Sequence, residues 1–271
     1  SMRDKWAVIL CGGRGSRLGQ LTDSIPKALV KVHDKAILWY CFLMLYGHGF
    51  RHFIFPLGYK GEMIKEFVNR EFDRPNCKFY FVDTGEDTPI SMRLKKVLNI
   101  IPESEDFFLL NGDTFFEFNL EKMYNLHIKK NALLTLSSVE IVSNYGIIIE
   151  ENGKVVDFAR EKKVSSFSLT RDHSLKGYVN AGLVWLNKDA LRLIDLETCQ
   201  NLEHELYPKI IEMGKAAHYK IDGNWFAIDT QKDLEIINSK VTTQHNIGEI
   251  VKAAKKDLAT RYSYQTRYFS D

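Results

Sequence analysis

The chain has 271 residues, of which 45% are hydrophobic and 27% charged, and a formal net charge of +2. This is the composition of a globular protein with enough chain for a sizeable core, and so small a net charge, with no basic block, argues against nucleic acid or a membrane surface as a partner. Cys11, Cys41, Cys77 and Cys199 form no CxxC pair and have no histidine at zinc spacing, so they read as reduced thiols of a cytoplasmic protein, while the longest apolar run, Ile37 to Tyr46, is about half of what a bilayer requires.

In chain order, the first element is an apolar strand, Ala7 to Leu10, that runs directly into Cys11-Gly12-Gly13-Arg14-Gly15-Ser16-Arg17-Leu18 and then Ile25-Pro26-Lys27. Glycines carry no Cβ, so the amides of such a loop can converge on an anion, and Arg14, Arg17 and Lys27 add full charge: by its chemistry this is a polyphosphate loop. Two commoner phosphate motifs do not fit. A dinucleotide fingerprint needs a third glycine where Leu18 stands, and a Walker A loop needs a Gly-Lys-Ser/Thr that the stretch lacks. Ala36 to Tyr46 then reads as a buried helix stopped at Gly47 and Gly49, and His52 to Leu57 as a short strand closing at Pro56. Glu62 to Phe72 reads as an amphipathic helix, Lys78 to Val82 as a strand, Met92 to Ile101 as a helix, and Asp106 to Leu110 as an apolar strand ending in Asn111-Gly112-Asp113. The alternation predicts a parallel sheet with helices on both faces, whose ligands bind at the carboxyl ends of the strands, where the glycine loop and Asp113 both fall.

From Leu133 the pattern changes. Tyr145 to Glu150 and Lys154 to Phe158 flank Asn152-Gly153, a strong hairpin signal, and Gly177 to Leu186 reads as another long strand. Glu203 to Met213 reads as a helix interrupted at Pro208, Lys220 to Asp229 as a strand and loop, and Thr230 with Asp233 as the capping box of a helix through Ser239. This half predicts an antiparallel insertion on the acceptor side of the cleft. One domain over residues 3–240 is expected, with residues 241–271 as a C-terminal helical and aromatic extension or linker. There Ile250 to Leu258 reads as a helix and Arg261 to Phe269 alternates aromatic and polar residues, either the arm of a homo-oligomer or the stump of a longer protein.

Gly-Gly-x-Gly-x-Arg-Leu, at Gly12 to Leu18, with Pro26-Lys27 in register resembles the signature of the sugar-1-phosphate nucleotidylyltransferases. The resemblance implies an α/β, Rossmann-like three-layer nucleotidyltransferase fold with a mixed, mostly parallel central sheet and an antiparallel acceptor-side insertion. It implies a reaction in which an oxygen of a phosphorylated acceptor attacks the α-phosphorus of a nucleoside triphosphate and pyrophosphate leaves. That chemistry needs cations and positioning rather than a covalent nucleophile. Carried over residue by residue, Leu10, Gly12, Gly13, Gly15, Arg17, Thr84, Gly85 and Gly112 would hold the nucleotide. Asp113, and Asp229 in the turn Gly223-Asn224-Trp225-Phe226-Ala227-Ile228-Asp229, would hold Mg²⁺. Arg17, Lys27 and Lys162 would be catalytic, neutralising phosphate charge. Glu161-Lys162 matches the family's Glu-Lys pair with Lys163 in place of the usual proline, so either lysine could grip the acceptor phosphate, and Asn180-Ala181-Gly182 matches the Asn-x-Gly that meets sugar hydroxyls.

Within the family, Ile9-Leu10-Cys11-Gly12-Gly13, Ile37-Leu38-Trp39, Gly58-Tyr59-Lys60-Gly61 and Val82-Asp83-Thr84-Gly85 with Arg93-Leu94-Lys95 are similar to the glucose-1-phosphate cytidylyltransferases, which favours CTP. One departure stands out: where that subgroup has Thr-Gly-Gly before its Arg-Leu-Lys, this chain has Pro89-Ile90-Ser91-Met92, with bulk in place of bare backbone.

Overall fold

The computed structural model describes Met2 and residues 4–142, 146–159, 163–164, 166–168 and 175–239. Strand β1 (Lys5–Leu10) is flanked in parallel by β2 (Phe50–Leu57), which pairs with β3 (Lys78–Asp83), and on its other edge by β4 (Asp106–Asn111). The short β5 (Thr114–Glu117) leaves the sheet, and β6 (Leu134–Val139) returns to it. A separate hairpin, β7 (Ile147–Glu151) and β8 (Lys154–Ala159), turns at Asn152 and Gly153, both with positive φ, as the Asn-Gly signal required. Then β9 (Val179–Asn180) and β10 (Val184–Asn187) run antiparallel to β6, and β11 (Ala216–Lys220) runs parallel to it. The last strand, β12 (Asn224–Ala227), pairs with β5.

Because β11 occupies one edge of β6 from Leu134 to Ser138, β9 and β10 follow one another along the other edge. They are two lengths of the single strand expected over Gly177 to Leu186, broken where Gly182 takes φ +80°. Ser137 holds the break from both sides, its C=O accepting from Ala181 N at 2.9 Å and its hydroxyl donating to Leu183 O at 2.6 Å. The main sheet thus reads β3-β2-β1-β4-β10-β6-β11, with β9 beyond β10 along the same edge of β6; it is mostly parallel, with β9 and β10 reversed.

Helices cover both faces. α1 (Ile37–Gly47), α2 (Gly61–Glu71), α4 (Leu120–Lys129) and α7 (Gln231–Asn238) pack with Ala7 and Ile9 of β1. α3 (Ile90–Val97), α5 (Leu202–Glu205) and α6 (Tyr207–Glu212) pack with Trp6 and Val8, the alternate residues of that strand. The three-layer α/β architecture is therefore as expected. Helix α1 is apolar all round because both of its faces are buried. Three local differences have simple causes. The helix expected to reach Ile101 loses α geometry at Val97 and ends in a 3₁₀ turn, Leu98–Ile100. The break expected at Pro208 falls earlier, at Leu206, because proline is tolerated in a helix's first turn and Pro208 sits in that of α6. Strand β2 runs through Pro56, which lies beyond its last pair with β1, Val8 with Ile54. The expected extension, residues 241–271, lies outside the described residues. Among the described residues no helix is long and apolar enough to cross a membrane.

His48 closes α1. Its Nε2 accepts from Leu120 N at 3.2 Å, so Nδ1 carries the hydrogen and donates to Met44 O at 2.8 Å. Burial pushes its pKa down to about 4, outweighing the bond to Met44. The unfolded chain therefore binds this proton first, and the contribution is present above about pH 6.5 and lost as pH falls toward 4. The loss is expected to total about 3 kcal/mol. Urea denaturation of wild type and His48→Gln at pH 7 and pH 4.5 should show a shallower pH dependence in the variant; equal dependence would clear His48 of the effect.

Candidate nucleotide and metal site

At the end of β1 the chain enters the glycine loop beside a cleft of about 410 Å³. Leu10, Gly12, Gly13, Lys27 and Asp113 all line it. Two glycines are required sterically. A Cβ on Gly12 would lie 2.5 Å from the Arg93 guanidinium, and Gly15, at φ +66°, would place one 2.8 Å from Cβ of Lys27. Gly112 is buried against Cys11 and Ile9, which brings the β4 to β5 turn, and with it Asp113, up to the loop. Leu18 is fully buried and anchors the loop's far end, where its C=O accepts from Gln231 Nε2 of α7 at 3.2 Å.

Asp113 and Asp229 meet through the pairing of β5 with β12, which sets Thr114 opposite Ala227. The capping box of α7 fixes the second of them: Asp233 Oδ2 accepts from Asp229 N and Thr230 N, each at 3.0 Å, while Thr230 Oγ1 accepts from Asp233 N at 3.2 Å. Lys27 Nζ stands 2.9 Å from Asp113 Oδ2 and 3.0 Å from Asp229 Oδ1. Burial would lower the Lys27 pKa, but the Asp113 charge and the hydrogen bonds to both carboxylates outweigh it and hold the pKa above its ordinary value. Arg17 Nη2 reaches Asp229 Oδ1 at 3.8 Å from an exposed position. Two carboxylate oxygens facing a common point beside a phosphate loop suit a hard divalent cation that takes its remaining oxygens from phosphate and water. Among the described residues no group of three or more His, Cys, Asp or Glu could hold a metal.

The opposite wall is the loop from Thr84 to Thr88, and a residue outside the expected site organises it. Arg93 of α3 is buried; it donates from Nε to Thr88 O at 3.0 Å, from Nη1 to Thr84 Oγ1 at 2.6 Å and from Nη2 to Glu86 O at 3.0 Å. Thr84 itself is fully buried, its hydroxyl donating to Leu57 O at 2.8 Å, so it shapes the wall from behind, whereas Gly85 is exposed. Arg14 and Glu86 join loop and wall by an ion pair of 2.5 Å. The signal for Arg93 was a cation on the apolar face of a helical pattern. In the divergent stretch, Pro89 precedes α3, Ser91 is buried and donates to Cys199 O at 2.8 Å, and Ile90, 46% exposed, borders both the first cleft and the next.

That second cavity, about 290 Å³, shares Leu10, Ile90 and Asn111 with the first and includes Gly182. A third, about 260 Å³, adjoins it through Glu203 and Tyr207 and includes Asn180. The cavities thus run in succession from the glycine loop to the Asn180-Ala181-Gly182 break, where Asn180 Oδ1 accepts from Gly182 N at 2.9 Å. Glu203 and Tyr207 were not among the expected site residues; the stretch from Glu203 to Met213 read from sequence only as a helix interrupted at Pro208. Lys162 lies outside the described residues, and Lys163 is placed by its backbone, pairing with Val142.

Such a site, a glycine loop with cations and two carboxylates at the carboxyl end of a parallel sheet, has the chemistry of a phosphate site. The chain belongs to the nucleotidyl transferase family, whose model matches residues 6–244, and is a nucleotidyltransferase. It is 31% identical over 251 residues to the "Probable glucose-1-phosphate cytidylyltransferase" of Bacillus subtilis (strain 168), covering 86% of this chain and 94% of that one. It is 27% identical to the glucose-1-phosphate cytidylyltransferase of Salmonella typhi, over 84% of this chain and 92% of that one. It is also 27% identical to the mannose-1-phosphate guanylyltransferase catalytic subunit beta of Danio rerio, covering 84% of this chain and 62% of that one. Crystal structures of HddC from Yersinia pseudotuberculosis, one of them complexed with GMP-PN, share the fold: TM-scores are 0.62 and 0.61 at 24% and 23% identity, with 85% and 86% of this chain and 96% and 98% of theirs covered.

Proposed function

We propose that the chain is a cytoplasmic, Mg²⁺-dependent nucleotidylyltransferase that uses CTP and transfers the nucleoside monophosphate to a sugar 1-phosphate or related phosphorylated small molecule, for surface-polysaccharide precursors. The observation that carries the reading is the meeting of Lys27, Asp113 and Asp229 beside the glycine loop, with Lys27 within hydrogen-bond reach of both acids. In the transfer, an acceptor phosphate oxygen attacks the α-phosphorus, the bond to the β-phosphate oxygen breaks, and pyrophosphate carries away the electron pair. The barrier is mainly charge repulsion and misalignment. The loop amides and Arg17 hold the triphosphate, Lys27 neutralises the α-phosphate, and the Asn180 to Gly182 break with Lys162 or Lys163 receives the acceptor. Mg²⁺, held by Asp113 and Asp229, would supply the charge that draws nucleotide and acceptor oxygens together. CTP is favoured by the cytidylyltransferase relatives; the guanylyltransferase relatives make GTP the alternative, and Ile90, at the border of two cavities, is placed to influence the choice.

Pyrophosphate release, crossing CTP, UTP, GTP, ATP and dTTP with phosphorylated acceptors including glucose 1-phosphate, tests the reading. Release with CTP and one acceptor supports it, release with GTP moves it to guanylyl transfer, and no binding of any nucleotide overturns it. Arg17, 74% exposed with its ammonium-like fork held only loosely by Asp229, is free to turn toward a phosphate. Arg17→Ala is expected to lower kcat/KM by about a hundredfold, a few kcal/mol of lost electrostatic stabilisation. Unchanged kinetics would reduce it to a surface charge.

A further inference from the structure

Lys27 stands between the two carboxylates that would hold a metal. Its ammonium is 2.9 Å from one carboxylate and 3.0 Å from the other, and its side chain is 13% exposed. Its stem is fixed: Cβ, Cγ and Cδ all lie within 3.0 Å of where Gly15 would carry a Cβ, so the side chain runs along the glycine loop and delivers its charge between the two acids. Arg17, the other cation near Asp229, is more distant at 3.8 Å and mostly exposed, and so is no close occupant of that point. An ammonium and a divalent cation compete for the same two carboxylates, because two positive charges crowded between the acids repel one another. Magnesium coordinates at about 2.0 to 2.1 Å, well inside the space the ammonium fills.

We infer that Lys27 is a placeholder cation: without nucleotide it neutralises Asp113 and Asp229 and weakens the binding of divalent metal there, and it leaves when phosphate oxygens offer its charge another partner. The inference rests on the reading of these two carboxylates as metal ligands. It makes metal entry and phosphate binding a coupled exchange, in which the metal is bound weakly by the empty protein and the lysine released from the acids becomes the lysine that meets the phosphates. Coupling of this kind is a difference in free energy between two states of one side chain, and it is visible in metal affinity without any turnover. It also separates two tasks for Lys27: the alkyl stem keeps the loop packed, while the charge decides what stands between the acids.

The test is Mn²⁺ titration, by electron paramagnetic resonance of the free ion, of nucleotide-free wild type, Lys27→Met and Lys27→Gln. Methionine keeps the unbranched stem against Gly15 and removes the charge; glutamine is a second neutral variant should methionine perturb folding. Both are expected to bind Mn²⁺ about tenfold more tightly than wild type, within the usual range of coupling between sites. Adding Asp113→Asn should abolish the gain. Equal or weaker binding in the neutral variants would overturn the inference, as would a gain that survives Asp113→Asn, since the ion would then lie elsewhere. Pyrophosphate release by wild type is measured separately, so failure of the transfer reading would be seen without altering the manganese comparison.

Discussion

Asp113→Asn is expected to cut pyrophosphate release by about a thousandfold or more while leaving the melting temperature nearly unchanged. Asparagine keeps the size of the side chain and an oxygen toward Lys27, whose ammonium also retains Asp229 at 3.0 Å, so the turn after β4 loses no packing. What is lost is one of the two negative charges a cation would need. A thousandfold corresponds to about 4 kcal/mol, the scale of removing one preorganised electrostatic contact from a transition state. Steady-state release with saturating substrates, beside a thermal melt, measures both quantities. A loss of less than tenfold would remove the metal assignment, and a large fall in melting temperature would recast Asp113 as a structural turn residue.

Arg93→Met is expected to do the opposite, harming the fold first and nucleotide binding through it. The guanidinium ties together Thr84, Glu86 and Thr88, with a longer bond of 3.4 Å to Leu57 O, and Gly12 lies directly on its face. Burial lowers its pKa despite the nearby charges of Asp83 and Asp87, so the group is desolvated for the sake of these bonds. Methionine would leave buried carbonyls without donors and a gap beneath the glycine loop. Each hydrogen bond to a charged group is worth about 1.5 to 3 kcal/mol, and the fork acts as a unit, so destabilisation of about 3 kcal/mol is expected. Lysine should not rescue it, because one ammonium cannot serve three acceptors spread along a loop. Urea denaturation and CTP titration give the readouts; stability within about 0.5 kcal/mol of wild type together with normal CTP affinity would show that the loop holds its shape unaided.

The first half of the molecule was legible in the sequence because its signals are local. An apolar run that ends in glycines is a strand with a tight exit, and the four strands β1 to β4 came out in order with Asp113 at the right end. The capping box at Thr230 and Asp233 was equally local and is present as read. Elements whose identity depends on distant partners were not legible. Strand β5 and helix α4, between Asp113 and Leu133, passed unnoticed: β5 is a strand only because β12 pairs with it, and α4 turns inward a histidine, His127, which scores as polar but is buried on Asp106 and Thr135 at 2.9 and 2.7 Å. Arg93 was quoted as part of a motif, yet its role follows from four backbone and hydroxyl acceptors that only the folded chain assembles. Glu203 and Tyr207 reach the cavities for the same reason, since their helices are short and placed by packing.

The bond between Lys27 and Asp229 joins residues 202 positions apart. During synthesis the glycine loop and Asp113 therefore leave the ribosome long before their third partner exists, and contacts of such separation form late in folding. A nascent chain exposes the glycine loop without the second acid or the β12 strand that carries it, and the meeting of Lys27 with both acids waits until β12 and α7 are in place. The same holds for damage: after a cut between β5 and β12, Asp113 and Asp229 lie on separate pieces that only packing and the β5–β12 pairing keep together.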